Sequence, residues 1–221
     1  MVDGQVLPEQ PEALIAAKKV AVPVLHGANT AEGVLFHAGV FGDTPVMTTG
    51  DYQAALMRRF GGGASAVAAQ YPAASFASPN DALTQVTADA FFVCPARKMA
   101  KLLDAAGSKS YHYTFNGTLA GTPFPALAGK AFHSSELPYV FGASYVLGSV
   151  DSANQPLVDA IEGYWTRFAR TGDPNGGSDP MWPVYTTAAD QSLKLDTSIS
   201  VTTAVDKANC DFWDTVTIIA P

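Results

Sequence analysis

Ala131-Phe-His-Ser-Ser-Glu-Leu-Pro-Tyr-Val-Phe-Gly142 is the stretch on which the reading of this chain turns. Its histidine, His133, lies among small residues downstream of a strand-like run, Tyr111-His-Tyr-Thr-Phe115, with Gly129 just before it. A histidine in such a loop can turn toward a site, whereas one in an apolar helical stripe is held against a core. An acid that could hold it occurs in Gly27-Ala-Asn-Thr-Ala-Glu-Gly33, where Glu32 follows a second strand-like run from Val20 to Leu25.

Working outward, the hydrophobic spacing predicts strands that alternate with helices, the pattern of a parallel sheet. Helices are expected over 11–18, over 51–60 up to the stop Gly61-Gly-Gly63, and over 157–169. In the last, Ile161, Tyr164, Trp165 and Phe168 recur at helical spacing and read as core. A short helix is expected near Glu32, with Asn29 and Thr30 as suitable caps. The helical pattern over 80–106 contains Pro95, which should kink or divide it near Cys94. Gly107 then ends it, 110–115 forms the second buried strand, and the glycine- and proline-broken loop 117–130 delivers His133. Leu193-Lys-Leu195 is a candidate last strand and 204–214 a last helix.

Composition bounds the function. At 48% hydrophobic and 15% charged, the chain is ordinary globular material, long enough for one core and room for two lobes. A net charge of −7 argues against nucleic acid, because no basic patch could release phosphate counterions. No apolar run approaches the ~20 residues of a membrane span, and the N-terminus does not read as a signal peptide. The triple glycine lacks the Gly-Lys-Ser/Thr end of a phosphate loop. His26, His37 and His112 lack metal-ligand spacing, so no metal and no cofactor is expected. Cys94 and Cys210 by themselves could be two buried free thiols.

Acid after one strand and histidine after the next is the chain order of a serine hydrolase triad whose serine comes first. Yet no Gly-x-Ser-x-Gly occurs in these 221 residues. Here the segments resemble the type B carboxylesterases, which include the cholinesterases. Gly27-x-Asn-x-x-Glu-Gly33 is similar to the run carrying that family's triad acid, and Phe132 to Gly142 to the run carrying its histidine. Tyr164-Trp-Thr-Arg-Phe-Ala-Arg-Thr-Gly-Asp-Pro-Asn175 and Trp182-Pro-Val-Tyr185 resemble its C-terminal helix and the loop after it. Asp89-Ala-Phe-Phe-Val-Cys-Pro95 and Cys210-Asp-Phe-Trp213 resemble two segments joined by a long-range disulfide, and Val2-Asp-Gly and Leu7-Pro the lead into the acid strand. Together they cover nearly the whole chain, as the C-terminal part of the family only.

The resemblance implies an α/β fold, the C-terminal portion of an α/β-hydrolase, with few parallel central strands flanked by helices in one domain over 1–221. It implies carboxylic ester hydrolysis with His133 as base and Glu32 as its acid partner. It further implies a Cys94–Cys210 disulfide and a structural ion pair for Glu136 with Arg97 or another arginine. The expected partners are a small carboxylic ester and a missing N-terminal part of the same enzyme. Self-association is expected through the apolar face which that part would cover. A disulfide implies a secreted or periplasmic parent enzyme. Two alternatives stand beside this reading: a serine-less cholinesterase-like binding module, and a small self-sufficient esterase. Ser65, Ser134, Ser135 and Ser144 are the serines weighed for the latter, but none has the strand–turn–helix setting that exposes a nucleophile.

Overall fold

The computed structural model describes residues 2–18, 22–40 and 45–216. Among these, β1 (Val24–Asn29), β2 (Ser110–Phe115), β3 (Gln191–Leu195) and β4 (Ser200–Thr203) form one sheet in that spatial order. The first three strands are parallel, and β4 returns antiparallel to β3. Val20 and Ala21, the start of the expected first strand, lie outside the described residues. The α/β architecture read from the sequence is therefore present as a mostly parallel sheet with flanking helices.

Helices fill the connections. After α1 (Pro11–Ala16) and β1, the crossover to β2 holds α2 (Val34–His37), α3 (Thr49–Phe60), α4 (Ala64–Gln70), α5 (Pro79–Ala88) and α6 (Cys94–Ala106). α7 (Leu137–Phe141) and α8 (Gln155–Thr171) connect β2 to β3, and α9 (Lys207–Trp213) follows β4. α3 begins two residues before the expected start because Thr48 and Asp51 form a reciprocal cap. The Asp51 N–H donates to the Thr48 hydroxyl at 3.1 Å, and the Thr48 N–H donates to the Asp51 carboxylate at 3.1 Å. The expected break near Cys94 takes the form of a wider π turn, Asp89–Val93, between α5 and α6. Pro95 has no N–H to give the preceding turn, so the ladder loosens just upstream of it.

Strand side chains alternate between two faces. From β2, Tyr111 and Phe115 enter one core with Ile161, Tyr164, Trp182 and Leu193. Across the sheet, Ala28 joins Leu56, Phe60, Val67, Leu83, Val86 and Trp213 in a second. Each large side chain removed from water there contributes roughly 1.5–3 kcal/mol. Cys94 and Cys210 are joined as a disulfide within the second core, linking the start of α6 to α9.

Candidate active site

β1 ends at Asn29, and the chain turns immediately into the loop that holds Glu32. Gly33 makes this turn possible. A Cβ at that position would lie 2.0 Å from the Thr84 carbonyl oxygen, so only glycine lets the loop press against α5. The Glu32 carboxylate is buried, and its Oε1 accepts the Asn29 backbone N–H at 2.8 Å. Asn29 thus closes the strand and does not cap a helix; α2 starts later and carries no side-chain cap.

The loop after β2 runs alongside. The Thr30 N–H donates to the Phe115 carbonyl and the Ala31 N–H to the Ala131 carbonyl, both at 2.9 Å. These two bonds seam the acid loop to the strand and the segment that lead to His133. The His133 Nδ1 lies 2.6 Å from Glu32 Oε2. A carboxylate can only accept, so Nδ1 carries the proton and Nε2 keeps the lone pair of the neutral ring. Among the described residues Nε2 has no hydrogen-bond partner. Next to it, Ser134 takes a left-handed backbone conformation (φ 71°), a strained choice for a residue with a Cβ.

Exposure separates the two roles. The imidazole is 39% exposed, whereas the Glu32 side chain beneath it is 7% exposed. The hydrogen bond to Glu32 holds the imidazole above its ordinary pKa, aided by the charges of Glu32 and Glu136 and opposed by partial burial. Phe36 and Phe92 flank the ring with centroids at 5.2 and 5.0 Å, and stack on each other at 5.7 Å. These two phenylalanines were not anticipated as site residues. Phe36 sits four positions after Glu32, and Phe92 lies in the π turn, so their convergence depends on the fold.

The proposed Glu136–Arg97 ion pair is not formed. Arg97, on α6, donates to Asp190 at 2.5 Å and 3.1 Å and to Asp211 at 3.2 Å. Glu136 lies at the end of β1 instead, where its Oε2 accepts the Asn29 side-chain amide at 2.5 Å. Arg97 and Glu136 are each satisfied by other partners. Of the serines weighed as nucleophiles, Ser65 and Ser144 are exposed on α4 and on the loop after α7, and Ser135 is fully buried. None of them, nor Ser134, is bonded to His133.

The remaining histidines belong to the interior. His26 and His112 are cross-strand neighbours, with ring centroids 5.3 Å apart. His26 Nε2 meets the Ser110 hydroxyl at 2.9 Å and His112 Nδ1 meets the Ser192 hydroxyl at 2.6 Å. Burial pushes their pKa values down to about 4 and about 3, so both rings are neutral near pH 7. His37 meets the Thr87 hydroxyl at 2.9 Å. Among the described residues, no cluster of three or more His, Cys, Asp or Glu side chains is arranged to hold a metal ion.

Comparison with known proteins adds a family. The model of the carboxylesterase family matches residues 1–213. The chain is 37% identical over 149 residues to carboxylesterase 5A of Canis lupus familiaris, covering 63% of this chain and 25% of that protein. It is 30% identical over 234 residues to the cholinesterase of Mus musculus, covering 96% of this chain and 38% of that protein. It is 29% identical over 231 residues to the fatty acyl-CoA hydrolase precursor, medium chain, of Anas platyrhynchos, covering 96% and 40%. The chain thus spans between 25% and 40% of the length of these relatives.

Proposed function

The chain belongs to the carboxylesterase family, and on that footing we propose that Glu32 and His133 are the acid and base of a serine-dependent ester cleavage. The nucleophile and the oxyanion donors would come from sequence outside these 221 residues. The observation that carries this reading is the 2.6 Å bond from His133 Nδ1 to a buried carboxylate, made by an imidazole whose Nε2 is unengaged among the described residues.

The chemistry follows from that geometry. A serine hydroxyl is a poor nucleophile until a base takes its proton as the new C–O bond forms. His133 Nε2 accepts that proton, and Glu32 stabilises the resulting imidazolium without taking a proton itself. The same Nε2–H then passes to the leaving alcohol as the ester C–O bond breaks. In the second half, Nε2 takes a proton from water as it attacks the acyl-enzyme, then returns that proton to the serine oxygen as the acyl C–O bond breaks and the acid leaves. The aromatic faces of Phe36 and Phe92 limit water around the imidazole, which strengthens its bond to Glu32.

The substrate is a small carboxylic ester, and the partner is the remainder of the same enzyme. The cores on both sides of one sheet support a single domain over 1–221 as part of a larger catalytic unit. The disulfide supports an oxidising compartment, secreted or periplasmic, for the parent enzyme. No helix among the described residues is long and apolar enough to cross a membrane. Self-association of the chain when it is alone belongs to the same proposal, since a face that the rest of the enzyme would cover is then open to a second copy. A strictly monomeric chain at micromolar concentration in sedimentation velocity would refute that.

The test of function is complementation. Supplying the N-terminal part of a related carboxylesterase, fused or co-expressed, should give hydrolysis of a p-nitrophenyl ester that His133→Ala abolishes. The 221-residue chain alone should not be labelled by a fluorophosphonate probe. Stoichiometric labelling of one of its own serines would favour the self-sufficient esterase. A complemented enzyme indifferent to His133→Ala would refute the base assignment.

A further inference from the structure

Asn29 makes more contacts to the site than its place at the end of a strand requires. It is 2% exposed, so both amide hydrogens need partners inside the protein. One goes to the Phe132 carbonyl at 2.8 Å, the residue just before His133. The other goes to Glu136 Oε2 at 2.5 Å, three residues after it. The Asn29 backbone N–H meanwhile binds Glu32 Oε1 at 2.8 Å. A single residue therefore touches the acid and both flanks of the histidine.

We propose that Asn29 is a positioning residue, whose amide clamps the His133 loop to the strand end that presents Glu32 and so keeps acid and imidazole in contact. This rests on the acid–base reading above. The chemistry of the position explains the residue type. Both partners are acceptors, so the position needs two donors and no net charge. Aspartate has the same shape but would set a carboxylate against a carbonyl and a second carboxylate. A cation would bind both acceptors but would also neutralise Glu136, whose charge reaches the imidazole across the site. The neutral amide holds Glu136 in place and leaves its field intact. The charged side chains acting on His133 are then Glu32, in direct contact, and Glu136, held by Asn29.

Proton NMR on the 221-residue chain tests the clamp without requiring ester hydrolysis. In the native protein the His133 Nδ1–H should give a downfield resonance protected by Glu32. Asn29→Ala should broaden or remove that resonance and lower the pH at which the imidazole titrates, with the circular dichroism of the fold retained. Glu136→Gln keeps an acceptor for Asn29, so the resonance should persist while the titration midpoint still falls. If Asn29→Ala does not fold, Glu136→Ala carries the test, because it removes one of the two anchors and should broaden the same resonance. A folded Asn29→Ala protein, or in its place a Glu136→Ala protein, with the native resonance and midpoint overturns the clamp and leaves the acid–base reading intact. In the complemented enzyme Asn29→Ala should lower kcat with little change in KM. A clamp seen by NMR beside an enzyme indifferent to His133→Ala would refute the catalytic reading alone.

Discussion

Replacing Cys94 and Cys210 together by alanine tests how the site-bearing half of the crossover is held. The two residues are 116 positions apart in sequence and joined as a disulfide. Chain-entropy arithmetic for a closed loop of that length gives a stabilisation of about 5 kcal/mol at 25 °C. That is a large fraction of the ~5–15 kcal/mol by which domains are usually stable. Both half-cystines are also buried, so alanine removes sulfur contacts in the same core. With a urea dependence of about 2–3 kcal/mol/M for a chain of this size, the unfolding midpoint should fall by about 2 M. Tryptophan fluorescence reports the transition, because Trp213 lies in the core that contains the disulfide. The native protein measured with and without reductant is the control, since reduction alone should give most of the shift. The effect should also reach the site, because Cys94 directly follows the π turn that sets Phe92 against His133. A midpoint lowered by less than about 0.4 M, under about 1 kcal/mol, would refute the reasoning. The disulfide's hold on the unfolded chain would then have to be offset by residual structure there.

Other predictions concern titration and packing. In the complemented enzyme, kcat/KM should rise with pH as His133 loses its proton, with a midpoint above the ordinary ~6.5 of histidine. Glu32→Gln should move that midpoint to lower pH, and an unmoved midpoint would contradict the coupling. His26 and His112 stay neutral in the fold down to about 4 and about 3, whereas the unfolded chain takes up these protons near ~6.5. Their contribution to stability is therefore complete above that value and is lost as pH falls through the window down to the folded pKa values. Asp89, pushed up to about 6 by burial, acts in the opposite sense. The comparison that isolates the histidines is thus urea unfolding of the native chain against His26→Gln/His112→Gln at pH 7 and pH 4.5. The double variant should lose less stability on acidification, and equal losses would count against the argument. Gly33→Ala drives a methyl into the Thr84 carbonyl oxygen and should cost roughly 1–3 kcal/mol by thermal unfolding. A neutral result would mean that the loop and α5 separate freely.

The acid–histidine pair was legible because both residues follow strands and sit in motif-like runs, and α8 because its apolar residues keep helical spacing. β4 escaped because its four residues, Ser-Val-Thr-Thr, are short and polar outside the sheet, though their β-branched content suits a strand. Pro95 announced an interruption but not its form, since a π turn and a kink relieve the same missing N–H. Arg97 and Glu136 were mispaired because opposite charges in a sequence carry no distance; Asp190, which Arg97 binds, is 93 residues away. Asn29 was visible within its motif, but its two acceptors are supplied by a segment more than a hundred residues downstream. Nothing local to the strand could name them.

That separation places a demand on the sheet itself. Glu32 and His133 are 101 residues apart and meet only because β1 and β2 end level, Asn29 opposite Phe115. A slip of one residue would turn every side chain of one strand to the wrong face and carry the two loops apart. The polar side chains in the middle of the sheet oppose such a slip. His26 is bonded to Ser110 on β2, and His112 to Ser192 on β3, so both parallel pairs of strands, β1 with β2 and β2 with β3, are fixed by a directional bond. The Trp182 indole N–H donates to the His112 carbonyl at 3.0 Å and ties this layer to the opposite core. An apolar residue at 26 or 112 could pack as well, but it could not distinguish one register from the next by hydrogen bonding. The place of His26 and His112 is thus to keep the strand ends aligned, so that the half-buried His133 meets its acid.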